Sequence, residues 1–343
     1  MSVTLQIVAA GMVTAVGLDA SSACAAMRGR LDGFQETRFL GPDGEWLVGA
    51  PVPAPRNWVG EARMAHLAAG AICEIFSAVS EAKGRTALIL CLAEEDRPGR
   101  PVRYAARLAG KIAEIVEISP RTQIIANGRP SGFIALRQAQ RLLSQRAADY
   151  VLITGVDNYL TSVTIAHYLK AGRLLTPANA NGFIPGEGAA AVLCAAESEG
   201  ALKLAGLGLS RESAFIYNRM DADGLDLPLR GDGMTRAYRE ALAEAGVTMA
   251  RIDYRIADLI GEQYWFKQST LAEMRLERGR TEFQDIWSPA ENLGNIGAAV
   301  VPVMIGMALA AARKGYSGGS PLLIEASGDD GACGAAVFHE RVM

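Results

Sequence analysis

Continuous apolar runs alternate along the first part of the chain with segments of helical spacing. Runs of this length fit strands, and they lack the polar alternation of a strand with one solvated face. Both faces of their sheet must therefore be covered, as in parallel or mixed α/β sheets. The predicted strands are residues 5–13, 86–93, 123–126, 149–159 and 189–196, and the predicted helices are residues 61–82, residues 100–115 and a segment that begins at Ser131.

The same order of elements recurs in the second part of the chain. The predicted strands are residues 202–210, 254–260, 283–288, 321–327 and 334–340, and the predicted helices are residues 233–246, 268–279 and 296–314. The order strand, helix, strand, helix, strand, helix, strand, strand thus occurs twice, without obvious sequence identity. Because no proline- or serine-rich linker separates the two series, we expect two fused half-domains, residues 1–200 and 201–343, with a shared core.

Composition and charge remove several classes of function. The 343 residues are 50% hydrophobic and carry a net charge of −3, with basic and acidic residues interleaved. The absence of a basic stripe argues against a nucleic-acid partner. The N-terminus has no basic n-region, so we expect a cytoplasmic protein without a secretory signal. The longest apolar run, residues 296–312, contains Pro302 and is short for a membrane span, so we expect a buried core helix.

Cysteine and histidine usage predicts neither a metal site nor a cofactor. The five cysteines are widely spaced and form no CxxC motif, and the only histidines are His66, His167 and His339. This spacing supports neither a zinc site nor a disulfide framework.

Several motifs together identify a resemblance that runs nearly end to end. The run ADYVLITGVDNY (148–159) precedes GFIPGEGAAA (182–191), GNIGAA (294–299) lies ahead of the long apolar helix, and SGDDGAC (327–333) lies ahead of the last strand. In this order they resemble the thiolase superfamily, and within it the 3-oxoacyl-[acyl-carrier-protein] synthases. The resemblance implies an α/β thiolase-like fold, with duplicated βαβαβαββ halves in five α-β-α-β-α layers. It also implies an acyltransferase function in fatty acid or polyketide synthesis.

The resemblance implies a catalytic cysteine at the start of the helix that follows residues 123–126. There the dipole and free amides of a helix favour a thiolate. The sequence there, NGRPS (127–131), contains no cysteine, and the nucleophile position falls on Arg129 or Pro130. Ser131, the only hydroxyl in the turn, is either a nucleophile that needs a base or a helix N-cap. Arg129 either binds a carboxylate or phosphate, or fills the space with a salt bridge.

The two further catalytic positions implied by the resemblance are a histidine followed by a histidine or asparagine. They fall on Asp258 and Asn295. Asp258 either accepts a proton or pairs with an arginine or caps a helix, and Asn295 is a catalytic donor, a helix N-cap, or both. The closing loop has Asp329 in place of a gating aromatic residue. Cys333 is the thiol expected nearest the site, with a core position at the start of a strand as the alternative.

We therefore expect a non-catalytic homologue, a pseudoenzyme, that serves as a partner subunit, scaffold, or binder of acyl chains or acyl carrier protein. The alternative is an enzyme with altered residues, in which Asn295, Asp258 and either Ser131 or Cys333 act on a thioester by hydrolysis, decarboxylation or acyl transfer. A third hypothesis, an active synthase with its cysteine elsewhere, conflicts with the ungapped register around Asp149. The resemblance also implies a homodimer paired through residues 122–126, or a heterodimer with an active synthase, and acyl carrier protein or acyl-CoA as further partners.

Overall fold

The computed structural model describes residues 4–196, 200–217, 227–277 and 283–341. Within these ranges the strands are β1 (Gln6–Val13), β2 (Gln35–Leu40), β3 (Trp46–Gly49), β4 (Thr86–Cys91), β5 (Thr122–Ile125), β6 (Tyr150–Asn158), β7 (Glu187–Ala195), β8 (Leu202–Arg211), β9 (Tyr254–Ala257), β10 (Asp285–Trp287), β11 (Leu322–Ser327) and β12 (Ala332–Glu340). The helices are α1 (Ala20–Arg28), α2 (Gly60–Ala78), α3 (Ala105–Val116), α4 (Ser131–Ser144), α5 (Ser162–Lys170), α6 (Asp232–Ala245), α7 (Gln263–Leu276), α8 (Ala290–Leu293) and α9 (Val300–Lys314).

Ten strands pair continuously in the order β10-β9-β11-β12-β8-β1-β7-β6-β4-β5. From β1 outward, the pairings with β7, β6, β4 and β5 are antiparallel, antiparallel, parallel and parallel in succession. From β8 outward, the pairings with β12, β11, β9 and β10 follow the same pattern. The two series meet where Gln6 and Ile7 of β1 pair with Lys203 and Leu202 of β8. The mixed sheet is therefore as predicted, and the division of the chain at residue 200 stays a prediction.

Helices cover both faces of each strand series, because consecutive strand residues point into different layers. On β4, Leu88 packs into a cluster with α2 and α3, whereas Ile89 packs into a cluster with α4 and α9. On the other series, Leu323 of β11 packs against α6, and Ile324 faces the cluster that contains α9. Helices α4 and α9 thus form a central layer between the two strand series, with α2 and α3 outside one series and α6 and α7 outside the other. This is the five-layered thiolase-like arrangement.

The central layer is closely packed because small residues line it. The predicted core helix is α9, whose residues are almost all buried apart from the last turn. A Cβ on Gly155 of β6 would lie 2.2 Å from the carbonyl oxygen of Ala298, so only glycine allows this approach.

The apolar patterns did not predict the short helices α1 and α8. Helix α5 was not predicted, and neither was the β2–β3 hairpin, whose strands expose Leu40, Trp46 and Val48. The hairpin lies outside the main sheet, so its residues lack the continuous apolar pattern of the buried strands.

Candidate active site

The turn between β5 and α4 is tightly constrained. The amide of Gly128 donates to the Leu92 carbonyl at 3.0 Å, and the amide of Ser131 donates back to the Gly128 carbonyl at 3.0 Å. Gly128 has φ +60°, and a Cβ there would lie 1.9 Å from Oε1 of Glu94. Glycine is therefore required at this position. The turn carries the next side chain, that of Arg129, into the interior.

Arg129 is buried, with only 2% of its surface exposed. Its Nη1 lies 3.0 Å from Oδ2 of Asp258, and its Nη2 lies 3.4 Å from Oδ1 of Asp329. The guanidinium carbon lies 3.9 Å from the ring centroid of Trp265, a cation–π contact. Of the two roles predicted for Arg129, the structure has the salt bridge that fills the space.

A second buried arginine, Arg173, extends this ionic network. It forms a bidentate salt bridge with Glu262, in which the Nε–Oε1 and Nη2–Oε2 distances are both 2.7 Å. Its Nη1 also lies 2.6 Å from Oδ2 of Asp329. Asp329 therefore bridges the two arginines, and we call Arg129, Arg173, Asp258, Glu262 and Asp329 the charge cluster.

The pKa values of the two aspartates in the charge cluster are shifted in opposite directions. Burial raises the pKa of Asp258, despite the adjacent Arg129 guanidinium. Burial also opposes ionisation of Asp329, but the guanidinium groups of Arg173 and Arg129 hold its pKa below the usual value. The Tyr168 hydroxyl also donates to Asp329 at 3.2 Å. Asp329 is thus a fixed carboxylate, and Asp258 is the more easily protonated of the two.

A further buried ion pair, between Arg97 and Asp157, contacts the turn before α9. Arg97 pairs with both oxygens of Asp157, with Nη1–Oδ2 at 2.8 Å and Nη2–Oδ1 at 2.6 Å. The same Oδ2 accepts a 3.1 Å hydrogen bond from the amide of Ala298, just before α9. Nearby, burial raises the pKa of Glu94 to about 7. Oε2 of Glu94 has no hydrogen-bond partner among the described residues.

Asn295 lies in the turn before α9 and is buried. Its side-chain Oδ1 accepts a 3.0 Å hydrogen bond from the backbone amide of Gly297. The backbone amide of Asn295 donates to the Ile184 carbonyl at 2.8 Å. This side chain therefore holds the turn. It is not the helix N-cap that the sequence predicted, because Ala299 occupies the cap position of α9. Across the described ranges, no hydrogen bond links Asn295 to Ser131, Asp258 or Arg129.

Ser131 is the first residue of α4 rather than its N-cap, because the preceding Pro130 occupies the cap position. The Ser131 hydroxyl accepts from the amide of Asn127 at 3.0 Å and donates to the Leu92 carbonyl at 3.5 Å. It therefore closes the turn, and no histidine or carboxylate in the described part of the chain hydrogen-bonds to it.

Cys333 is the second residue of β12 and is buried on the outer face of the sheet. It packs in the cluster that holds Met234 and Ala237 of α6, whereas its neighbour Gly334 faces Phe133 of α4. Burial raises the pKa of the Cys333 thiol well above its usual value. Because side chains alternate along a strand, Cys333 has the core position that was the alternative for it.

A pocket of about 460 Å³ borders the outer side of the charge cluster. Its lining includes Arg173, Glu262, Tyr217 and Lys267, but neither Arg129 nor Asp258. The hydroxyl of Tyr217 accepts a 2.6 Å hydrogen bond from Nη1 of Arg173. The Arg173–Glu262 pair therefore separates this pocket from Arg129.

Two acidic residues of the quoted motifs, Glu187 in residues 182–191 and Asp330 in residues 327–333, form structural contacts. Glu187 accepts from the Val52 amide and from Asn158, and it pairs with Arg63. Asp330 forms a surface pair with Arg211. Within the described ranges, no group of three or more His, Cys, Asp or Glu side chains could hold a metal ion.

Sequence reasoning missed Arg173 and Trp265, although both contact the centre of the site. Arg173 lies in the turn after α5, the helix that the apolar pattern did not predict. Their partners are far away in the chain, so no local motif signals the contact.

Comparison with known proteins agrees with this architecture. Residues 94–199 match the family model described as the N-terminal domain of β-ketoacyl synthases. A solved complex of a type II polyketide synthase acyl-carrier protein with its ketosynthase bound to the hexaketide superposes with a TM-score of 0.82, at 16% identity, over 99% of this chain and 100% of that chain. The chain has the thiolase-like fold of the ketosynthases.

Two further known proteins resemble this chain. The ishigamide ketosynthase/chain length factor has a TM-score of 0.74 at 22% identity, over 99% of this chain and 100% of that chain. The 3-oxoacyl-[acyl-carrier-protein] synthase 2 of Rhizobium meliloti (strain 1021) is 28% identical over 46% of this chain. That match spans only 39% of the curated relative's length.

Proposed function

We propose that this protein is a non-catalytic ketosynthase-like subunit that pairs with an active ketosynthase in fatty acid or polyketide synthesis. The observation that carries the proposal is the burial of Arg129 at the start of α4, in the turn where the resemblance implies a nucleophilic cysteine. Arg129 is held there by Asp258 and Asp329.

The chemistry of condensation supports this proposal. Condensation needs a thiolate at the helix start and donors for the oxygen of a developing enolate. Arginine cannot act as a nucleophile, and an ionised Asp258 would repel the enolate. Nη1 and Nη2 of Arg129 each contact a carboxylate oxygen, so a substrate oxygen would have to compete with these pairs. The pocket outside the cluster ends at Arg173 and Glu262.

The exposed sheet edge supports a partner role. Strand β5 is the last strand of its series, and Ile124 at its centre is 40% exposed. A free edge of this kind needs a partner or a cover. Since β5 leads directly into the Arg129 turn, pairing along β5 would set the cluster close to the partner subunit. The ishigamide relative's name pairs a ketosynthase with a chain length factor, and we propose a heterodimer of this kind here, with a homodimer as the alternative.

One observation favours the second candidate, a thioester-processing enzyme with altered residues. Glu94 lies against the turn before α4, has an unpartnered oxygen, and has a pKa of about 7. A carboxyl with this pKa can act as a general acid or base near neutral pH.

Turnover assays on the purified protein separate the two candidates. The protein is incubated with malonyl-CoA and with malonyl-acyl carrier protein, and released carbon dioxide and free thiol are measured against buffer. If the protein is a non-catalytic subunit, we expect no release of carbon dioxide or free thiol above the buffer level. Release that disappears in Glu94→Gln but persists in Asp330→Asn, a surface control, would establish the enzyme instead.

The partner role has its own test. Native mass spectrometry of the protein alone and after co-expression with a type II ketosynthase reports which dimer forms. A heterodimer lost on Ile124→Asp, with the fold retained by circular dichroism, is the expected result. A protein that stays monomeric under both conditions would contradict pairing at β5.

A further inference from the structure

A second pocket, of about 400 Å³, lies between α1, β10 and α9. No residue of the charge cluster lines it, so it is independent of the candidate active site. Its volume is in the range of ordinary small-molecule sites, which are mostly apolar with a few polar groups.

The inner walls of this pocket are apolar and aromatic. Met27 of α1 and Met307 of α9 are buried and contribute flexible, polarisable surface. The rings of Trp287 and Tyr316 are stacked, with centroids 6.4 Å apart. Tyr254 packs against Trp287 at 4.7 Å, which fixes the Trp287 ring in place. These walls suit a flat, apolar group.

The α1 side of the rim carries two arginines. The guanidinium carbon of Arg28 lies 4.2 Å from the ring centroid of Tyr316. Neither Arg28 nor Arg30 forms an ion pair with any carboxylate in the described part of the chain. Both side chains are exposed at the rim, so their donors are available to an anion.

The opposite side of the rim carries acidic and amide groups. Asp285 accepts a 3.0 Å hydrogen bond from Nε1 of Trp287. The side-chain nitrogen of Asn292 donates to the Leu31 carbonyl at 2.8 Å. Glu291 lines the pocket without an ion pair among the described residues. The two sides of the pocket therefore differ in charge, and an anionic group is favoured only on the α1 side.

We propose that this pocket binds a small aromatic carboxylate. The ring lies against Trp287, Tyr316 and the methionines, and the carboxylate lies at Arg28 and Arg30. Arginine suits this role because its planar fork matches a carboxylate. The proposal does not depend on the proposed subunit function.

The test uses cinnamate as the probe, with binding followed by titration calorimetry and by tryptophan fluorescence. We expect saturable binding in which Trp287→Phe removes most of the fluorescence change. Cinnamyl alcohol, which keeps the ring and lacks the charge, is expected to bind at least about fivefold more weakly.

Charge variants give the decisive comparison. Arg28→Gln is expected to weaken cinnamate binding about fivefold or more, while Arg141→Gln, an exposed arginine on α4, leaves it unchanged. Glu291→Gln is expected to strengthen binding, because it removes a repulsive charge. Thermal unfolding of each variant checks that the fold is intact. Absence of saturable binding at millimolar cinnamate, or equal affinity in the wild type and Arg28→Gln, would overturn the proposal.

Discussion

Glu94 and Asp258 hold corresponding places in the two strand series, but of these two acids only Asp258 forms an ion pair among the described residues. Glu94 follows β4, which pairs in parallel with β5 and β6, and Asp258 follows β9, which pairs in parallel with β10 and β11. Asp258 is paired with Arg129 at 3.0 Å. Glu94 has an unpartnered Oε2 and lies against the backbone of Gly128.

The difference comes from the turn between β5 and α4, which serves both acids. Its glycine faces Glu94 and its arginine reaches Asp258 on the other strand series. A buried carboxylate with a guanidinium partner stays ionised at much lower cost than one without. The same turn therefore supplies Asp258 with an ion-pair partner and supplies none to Glu94, whose pKa burial raises to about 7.

The largest expected effect comes from breaking the pair at Asp258. Asp258→Asn leaves the Arg129 guanidinium with only Asp329, at 3.4 Å, and should lower the free energy of unfolding by about 3 kcal/mol. Urea denaturation measures the loss. Asp330→Asn is the control, because its pair with Arg211 is exposed and should contribute no more than about 1 kcal/mol. Equal effects of the two variants would mean that burial of the Asp258 pair has no energetic consequence.

The contribution of Glu94 to the free energy of unfolding should depend on pH. Because burial raises the Glu94 pKa from 4.5 to about 7, the folded state binds the proton more tightly than the unfolded state. Stability from this group is therefore highest below pH 4.5, falls as the pH rises to about 7, and is constant above that. Glu94→Gln should remove this fall and stabilise the protein at pH 8 by about 2–3 kcal/mol.

Denaturation curves at pH 5, 6, 7 and 8 for the wild type and Glu94→Gln check this prediction. Glu95→Gln is the matched control, since Glu95 is exposed. A pH dependence that survives in Glu94→Gln would assign the titration to another group.

A double substitution tests whether Arg129 and Asp258 act as a unit. Arg129→Met combined with Asp258→Leu removes both charges, so it should cost less than the sum of the single substitutions by about 1–3 kcal/mol. Unfolding free energies of the two single variants and the double variant close the cycle. Strict additivity would contradict direct coupling.

The smallest effect is expected at Asn295. Asn295→Ala removes the hydrogen bond from the Gly297 amide and should lower the unfolding free energy by about 1 kcal/mol. Asn295→Asp keeps the acceptor oxygen and is expected to retain more of this stability than Asn295→Ala. If both substitutions leave unfolding unchanged, the side chain does not support the turn.

The sequence predicted the elements of the buried sheet because their apolar runs extend along whole strands. The family resemblance, and not the local pattern, singled out Arg129 and Asp258. The predicted strand 254–260 extended past Asp258, whereas β9 ends at Ala257. The sequence could not show that Arg173 and Trp265 join Arg129 and Asp258, because those contacts depend on how separate helices pack. Nor could it show that Cys333 faces away, since one residue along a strand changes the face.

The most direct test of the central claim is intact mass after incubation with acetyl-, malonyl- and longer acyl-CoA and the matching acyl carrier proteins. We expect no covalent adduct, because the turn before α4 presents Arg129 and a hydrogen-bonded Ser131 in place of a thiolate. An acyl adduct, mapped by peptide analysis to Ser131 or to any cysteine, would contradict this claim.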